Sequence, residues 1–137
     1  MRHFICSGFI VALIAAAGCQ AKLTVTQSFK LPDEDSNIVK TFSMPAQPIA
    51  QTITVNVTVK SGSNVDVFVV PASLVGDTVG KEPNEKKKWE DKAYGSKRDL
   101  KFGSMTAKVP ANSEFKVVFI QSDDAREKSE VEVKITN

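Results

Sequence analysis

The chain has 137 residues, 42% of them hydrophobic and 25% charged, which is typical of one ordinary globular domain. This composition excludes an intrinsically disordered chain and a membrane protein with several spans. The formal net charge of +2 gives no general attraction to polyanions, so we expect no nucleic-acid partner.

The first segment is predicted to be a secretory signal peptide. Arg2 supplies a positive charge, and residues 4–17 form an apolar run without charges. The run is too short to span a bilayer as a helix, but it has the length of the apolar part of a signal peptide. A buried core helix is the alternative, which we disfavour because the run lacks amphipathic periodicity. We therefore assign residues 1–18 to a cleaved signal peptide.

The end of this signal resembles the lipobox of bacterial lipoproteins. In that family, small residues precede a cysteine that is acylated before the lipoprotein signal peptidase cuts on its N-terminal side. Ala17, Gly18 and Cys19 match the pattern, whereas Ala16 stands where the family usually has Leu or another branched aliphatic residue. The resemblance implies a Cys19 acylated with fatty acids such as palmitate, followed by a short tether over residues 19–22. The protein would then be anchored to a lipid bilayer in the bacterial cell envelope, on its periplasmic or outer face.

Ordinary signal-peptidase processing is the alternative to lipidation. Cleavage after Ala17 or Ala21 would release a secreted, soluble domain. After the first of these cuts, Cys19 would be left as a single unpaired thiol, because Cys6 is lost with the leader. An unpaired thiol is unusual in a secreted protein, so we favour lipidation.

Residues 23–137 are predicted to form one all-β domain. Seven segments have strand character, since their apolar residues alternate with polar ones or form short runs between turn residues. They cover residues 23–31, 38–44, 49–60, 65–71, 100–109, 115–120 and 131–135. Alternation is clearest over 49–60, which indicates one buried and one solvated face. The segment 65–71 is apolar on both faces, which is typical of a strand in the middle of a sheet.

In the predicted strand 100–109, the apolar residues switch from even to odd positions. The first two apolar residues are at even positions, and the last three are at odd positions. A β-bulge at Gly103–Ser104 would place all five on the core side. These residues are Leu100, Phe102, Met105, Ala107 and Val109.

Residues 72–97 form a long connection without a strand pattern. Unstructured loops beyond about 15 residues are uncommon in compact domains, so we expect this one to be partly ordered or functional. Its run Lys86, Lys87, Lys88 and Trp89 is a candidate surface-interaction patch for anionic lipid head groups or an acidic envelope polymer. The alternative, which we favour, is a solvated segment whose lysines are neutralised by nearby acidic residues and whose Trp89 packs back on the domain.

Seven short strands, with no convincing helix after the leader, predict a two-layer antiparallel β-sandwich. The pattern over residues 42–136 resembles the GOLD-type and bacterial pre-peptidase C-terminal sandwich domains. The resemblance lies in the valine-rich strand 65–70, the loop with Trp89 and Tyr94, and the segments 108–119 and 130–135. It implies an interaction or accessory domain without catalysis.

The sequence departs from these families at two places around its next-to-last strand. Ser113-Glu114 stands where the families usually have Gly before an aromatic residue, and Gln121-Ser122 stands where an asparagine often follows the strand.

Catalytic side chains are scarce in the predicted mature chain. The only histidine, His3, leaves with the leader, which excludes catalytic triads and histidine metal sites. Residues 33–37 have the opening spacing of a calcium loop, but Ile38 and Met44 replace its required Gly and Glu. We interpret them as an acidic solvated turn, and we predict no metal site and no cofactor.

We therefore predict a protein that is not an enzyme, but a membrane-anchored envelope lipoprotein that acts as a binding or structural module. Its partners would be the lipid bilayer, through Cys19, and an envelope protein or polymer. The alternatives are a secreted sandwich domain, an accessory subunit of an envelope enzyme, and an enzyme that uses carboxylates or backbone groups alone.

Overall fold

The β-sandwich predicted from the sequence is present in the computed structural model. The structure describes residues 22–75, 85–123 and 125–137. Within these residues, eight strands form two antiparallel four-stranded sheets. The strands are β1 (Thr24–Leu31), β2 (Val39–Met44), β3 (Gln51–Ser61), β4 (Val65–Pro71), β5 (Gly95–Leu100), β6 (Phe102–Val109), β7 (Phe115–Gln121) and β8 (Ser129–Thr136). A 3₁₀ helix covers Ala72–Leu74, and helix α1 covers Glu85–Lys92.

The strand order confirms the central position predicted for residues 65–71. The first sheet has the order β1-β8-β3-β6, and the second has the order β2-β7-β4-β5. Strand β4, which is apolar on both faces, lies between β7 and β5 as expected. Strand β3, with its regular alternation, lies inside the first sheet and turns one face to the core and one to solvent.

The core lies between the two sheets and consists of their inward-facing side chains. Val55 and Val57 of β3 are 0% and 1% exposed, and a fully buried side chain of this kind contributes about 1.5–3 kcal/mol. Three aromatic rings join the layers, because Phe29 of the first sheet contacts Phe42 and Phe119 of the second at centroid distances of 5.9 and 5.4 Å. The apolar residues of the alternating pattern thus face inward and form the core that the two sheets share.

The segment 100–109, predicted as one bulged strand, contains the last residue of β5 and all of β6, which lie in different sheets. The rest of β5 was missed, because it begins at Gly95 inside the connection 72–97 that was predicted to have no strand. Strand β5 ends at Leu100 in the second sheet, and β6 begins at Phe102 in the first. Strand β6 pairs with β3 in unbroken register, so the predicted bulge at Gly103–Ser104 is wrong. Phe102 pairs with Thr58, whose side chain points away from the core, and it is therefore 83% exposed instead of buried. Leu100 and Phe102 are two positions apart, so they would face the same side of a single strand. They have opposite environments because the chain changes sheets between them.

The long connection between β4 and β5 is partly ordered and contains a helix, so the prediction that no helix follows the leader is wrong. Helix α1 has the sequence EKKKWEDK, which lacks an apolar stripe because Trp89 is its one apolar residue. Trp89 is 1% exposed and packs edge-on against Phe68 at a centroid distance of 5.6 Å. This confirms the favoured interpretation that Trp89 packs back on the sandwich. Residues 76–84 of the connection lie outside the described residues.

The strand order defines two ends of the sandwich. The tether end includes Leu23, Asn137, residues 72–75 and the loops 45–50 and 110–114. The two loops are joined by a hydrogen bond from Asn112 N to Gln47 O at 2.6 Å. The distal end consists of the loops 32–38 and 62–64, Lys101 and the described part of 122–128. At this end Ser122 N donates to Asn64 O at 3.0 Å.

Candidate functional site

The structure separates the four residues of the candidate patch. Lys87 and Lys88 are exposed, but the side chain of Lys86 is only 14% exposed and Trp89 faces inward. Successive residues of a helix point in directions about 100° apart, so four neighbours cannot share one surface. The ring of Trp89 is therefore not part of a surface formed with the lysines. Cys19, the predicted lipidation site, lies outside the described residues.

Lys86 instead binds a buried carboxylate at the distal end of the second sheet. Its Nζ lies 2.7 Å from Oδ2 of Asp66, whose side chain is 3% exposed, and 2.8 Å from Oδ1 of Asp123. It also donates to the backbone oxygen of Gln121 at 2.7 Å. A buried carboxylate is costly unless it is paired and hydrogen-bonded. Lys86 thus fixes the beginning of α1 to strands β4 and β7.

The other oxygen of the buried carboxylate is also satisfied. Oδ1 of Asp66 accepts hydrogen bonds from Asp99 N at 2.8 Å and from the Ser122 hydroxyl at 3.2 Å. Asp99 has a positive φ of 60° and directly precedes the last residue of β5. The carboxylate therefore holds the chain where it is about to cross from the second sheet to the first.

A second layer of charges surrounds this pair nearer the solvent. Arg98 lies 2.6 Å from Glu90 of α1 and 3.4 Å from Asp123. The hydrogen bond to Glu90 raises the pKa of Arg98, and the hydrogen bond from Lys86 lowers the pKa of Asp123. Both shifts favour the charged forms, whereas a carboxylic general acid needs a raised pKa. The cluster acts as a structural clamp between α1 and the distal loops.

The acidic segment 33–37 closes on itself as a turn. Oδ1 of Asp33 accepts hydrogen bonds from Asp35 N and Asn37 N, both at 2.9 Å, and Oδ2 accepts one from the Asn37 side chain at 3.1 Å. The bond from Asn37 N is the main cause of the lowered pKa of Asp33. This geometry confirms the interpretation as an acidic solvated turn. No group of three His, Cys, Asp or Glu side chains in the described residues is arranged to hold a metal ion.

The outer face of the first sheet is open and polar. Threonines from all four strands stand opposite each other in one row, since Thr24 pairs with Thr136, Thr136 with Thr54, and Thr54 with Thr106. Their side chains are exposed or half-buried. The ring of Phe102 lies at the distal corner of this face, on the edge strand β6. We call the row and Phe102 together the open face.

Sequence reasoning missed two residues, the exposed Phe102 of the open face and the buried Asp66 of the charge cluster. Phe102 was assigned to the core, and no partner was assigned to Asp66. The sequence contains a signal for Asp66, because it is the one charged residue of a strand that is apolar on both faces. Such a residue requires a cation or several donors, although spacing alone does not show that Lys86 supplies the charge. In the described part of the chain, no helix has the length and apolar character needed to cross a membrane.

The comparisons with known proteins bear on the fold. No protein-family model matches the chain, and no curated protein matches it. Among solved structures, it is similar to the crystal structure of Aeromonas hydrophila PliG, a periplasmic lysozyme inhibitor of g-type lysozyme. The sequence identity is 18%, the TM-score is 0.51, and the alignment covers 93% of this chain and 95% of that chain. At this identity the likeness shows a shared sandwich fold over nearly the whole length of both chains.

Proposed function

We propose that this protein is a non-catalytic binding module of the bacterial cell envelope, which captures a protein partner and is anchored through an acylated Cys19. The observation that carries the proposal is the open face with its exposed Phe102. An aromatic ring that is 83% exposed on a hydrogen-bonded strand is an unusual surface feature. Aromatic anchors surrounded by polar groups are typical of the centre of protein interfaces.

The open face has the properties that a protein partner requires. Phe102 is held by the β3–β6 pairing, so little conformational entropy is lost when a partner covers it. Thr58 stands directly opposite Phe102 on β3, and its hydroxyl is able to donate and accept hydrogen bonds. One ion pair lies on this face, between Lys60 and Glu132 at 2.8 Å. Burying the ring contributes about 2 kcal/mol, which corresponds to more than a tenfold change in Kd.

A g-type lysozyme is the first partner to test, because PliG, which shares the fold, is an inhibitor of that enzyme. We expect the purified protein to bind g-type lysozyme in titration calorimetry and to slow the clearing of cell-wall suspensions. The variant Phe102→Ser should weaken binding by about tenfold or more. Ile49→Ser is the matched control, because Ile49 is an exposed apolar residue (49%) at the opposite end.

Two outcomes would count against this proposal. Absence of binding to g-type lysozyme would remove that partner. Equal affinities of Phe102→Ser and the parent protein would remove the open face as the binding surface.

The anchor is tested separately by expressing the full gene and its Cys19→Ser form in a bacterial host. We expect the parent protein in the membrane fraction, because two or more acyl chains anchor a protein stably. The variant should appear in the soluble envelope fraction. If both proteins partition alike, Cys19 is not the anchor, and the secreted alternative replaces it.

A further inference from the structure

We infer that the tether end of the sandwich rests on the lipid bilayer and inserts the tips of its two loops into the interface. The inference rests on the proposed anchor at Cys19. It concerns a different question, namely which part of the folded domain touches the lipid.

The two loops at the tether end form one exposed apolar surface. Residues 45–50 and 110–112 contain no charged side chain. Gln47 is buried at 6%, and its backbone oxygen accepts the hydrogen bond from Asn112 N that joins the loops. Ile49 is 49% exposed. The exposed apolar residues of the pair are Pro45, Ala46, Pro48, Ile49, Ala50, Pro110 and Ala111. Contiguous exposed apolar surface of this kind marks a contact with a partner or a membrane.

The position of the predicted tether favours the membrane as the partner. Leu23 N donates to Oδ1 of Asn137 at 2.8 Å, and Nδ2 of Asn137 donates to Oε1 of Gln51 at 3.2 Å. Gln51 directly follows Ala50, so the start of the described chain is fixed beside the first apolar loop. Cys19 precedes Leu23 by four positions, a distance of at most about 14 Å in a fully extended chain. An acylated Cys19 therefore keeps this end close to the bilayer.

Exposed side chains of both signs lie at each end, so the orientation rests on the apolar loops and on the tether. Lys22, Lys108 and Glu114 are exposed at the tether end. Lys101, Arg126 and Lys128 are exposed at the distal end, beside the acidic turn with Asp33 and Asp35. An eight-residue strand such as β6 separates the ends by about 25 Å. Phe102, at the distal end of β6, is therefore directed away from the membrane.

The test measures which backbone amides lie near the lipid. The full gene is expressed with isotope labelling, and the processed protein is placed in bilayer discs of phosphatidylethanolamine and phosphatidylglycerol that contain a gadolinium-chelating lipid. We expect the amide signals of Ala46, Gln47, Ile49, Ala50, Ala111 and Asn112 to be broadened beyond detection. Those of residues 33–37 and 62–64 should keep the intensities that they have in discs without gadolinium.

Two matched variants separate insertion from mere proximity. Ile49→Asp should weaken the broadening of the loop signals, because a charge at the tip opposes insertion although the acyl chains still keep the loops near the bilayer. Ile38→Asp makes the same change at a residue of similar exposure (40%) at the distal end, and should leave the broadening of the loop signals unchanged. Equal broadening at both ends, or equal behaviour of the two variants, would overturn the inference.

The proposed anchor at Cys19 and the inferred orientation of the domain are disproved by different results. If mass spectrometry finds no acyl chain on Cys19, the proposed anchor fails. The measurement is then made on a chain that begins at Cys19, with a lipid coupled chemically to its thiol, and broadening away from the two loops overturns the inference. If Cys19 is acylated but the loops stay sharp, the anchor stands and the inference is wrong.

Discussion

The outer faces of the two sheets differ in what covers them. On the second sheet, Phe68, Val118 and Ile120 point outward, and helix α1 covers them with Trp89. On the first sheet, the corresponding positions hold threonines and other polar residues, and the face is open. Both faces belong to sheets with the same inner core. The difference shows that the composition of an outer face decides whether the sandwich recruits a further element or leaves a surface for a partner.

Removing the ring of Trp89, which covers the outer face of the second sheet, should cause the largest loss of stability. Trp89→Ala leaves a cavity between α1 and the outer face of the second sheet, and we expect a loss of about 3–5 kcal/mol in the free energy of unfolding. Phe102→Ala removes an exposed ring of the open face, and should change the free energy by less than about 0.5 kcal/mol. Urea denaturation followed by circular dichroism measures both. Similar losses in the two variants would contradict the contrast between the faces.

Removing the cation that holds α1 should have the next largest effect. Lys86→Ala leaves the 3% exposed carboxylate of Asp66 without its cation, and we expect a loss of about 2–3 kcal/mol, because the remaining charge stays buried. Lys87→Ala is the matched control on the same helix, and should cost less than about 0.5 kcal/mol because Lys87 is exposed. An equal cost of both substitutions in urea denaturation would show that the clamp does not hold the helix.

The contact between Lys86 and Asp123, the outermost one of the clamp, should make the stability of the protein depend slightly on pH in the acidic range. The hydrogen bond from Lys86 lowers the pKa of Asp123 below its ordinary 3.8. The stabilisation from this contact is therefore complete above that value and is lost as the pH falls through the lower pKa of the folded state. Because the Asp123 side chain is 71% exposed, its contribution should stay below about 1 kcal/mol.

Denaturation of the parent protein and of Asp123→Asn between about pH 6 and about pH 2.5 checks this sign. The parent should be the more stable at the upper end, and the two should converge at the lower end. The acidic turn at Asp33 also loses stability in acid, but it is present in both proteins and cancels in the difference. A gap that is the same at every pH would contradict the assignment of the contact.

Much of the fold was predictable because the two sides of a strand are encoded directly in alternation. The regular pattern of β3 indicated one buried and one solvated face, and the apolar character of β4 indicated a central strand. The helix was not predictable in this way. Helix α1 has a single apolar residue, so its stability comes from the contacts of Trp89 and Lys86 and not from a periodic stripe.

The candidate site was less predictable than the fold. The run Lys86–Trp89 was identified as notable, but its residues have separate surroundings that only the packed helix determines. Phe102 was assigned inward because parity cannot show that the chain changes sheets after Leu100. The clamp around Asp66 joins α1, β4, β5 and the distal loop, which are far apart in the sequence.

By itself, the sequence determined the all-β class, most of the strands, the inward faces of the core and the acidic turn at 33–37. These depend on local alternation and on turn residues, which act over a few positions of the chain. Only the tertiary structure decided that β5 and β6 belong to different sheets, that α1 covers one sheet and that Phe102 is exposed. Each of these depends on contacts between segments that are far apart in the sequence. No single stretch of the sequence contains both sides of such a contact.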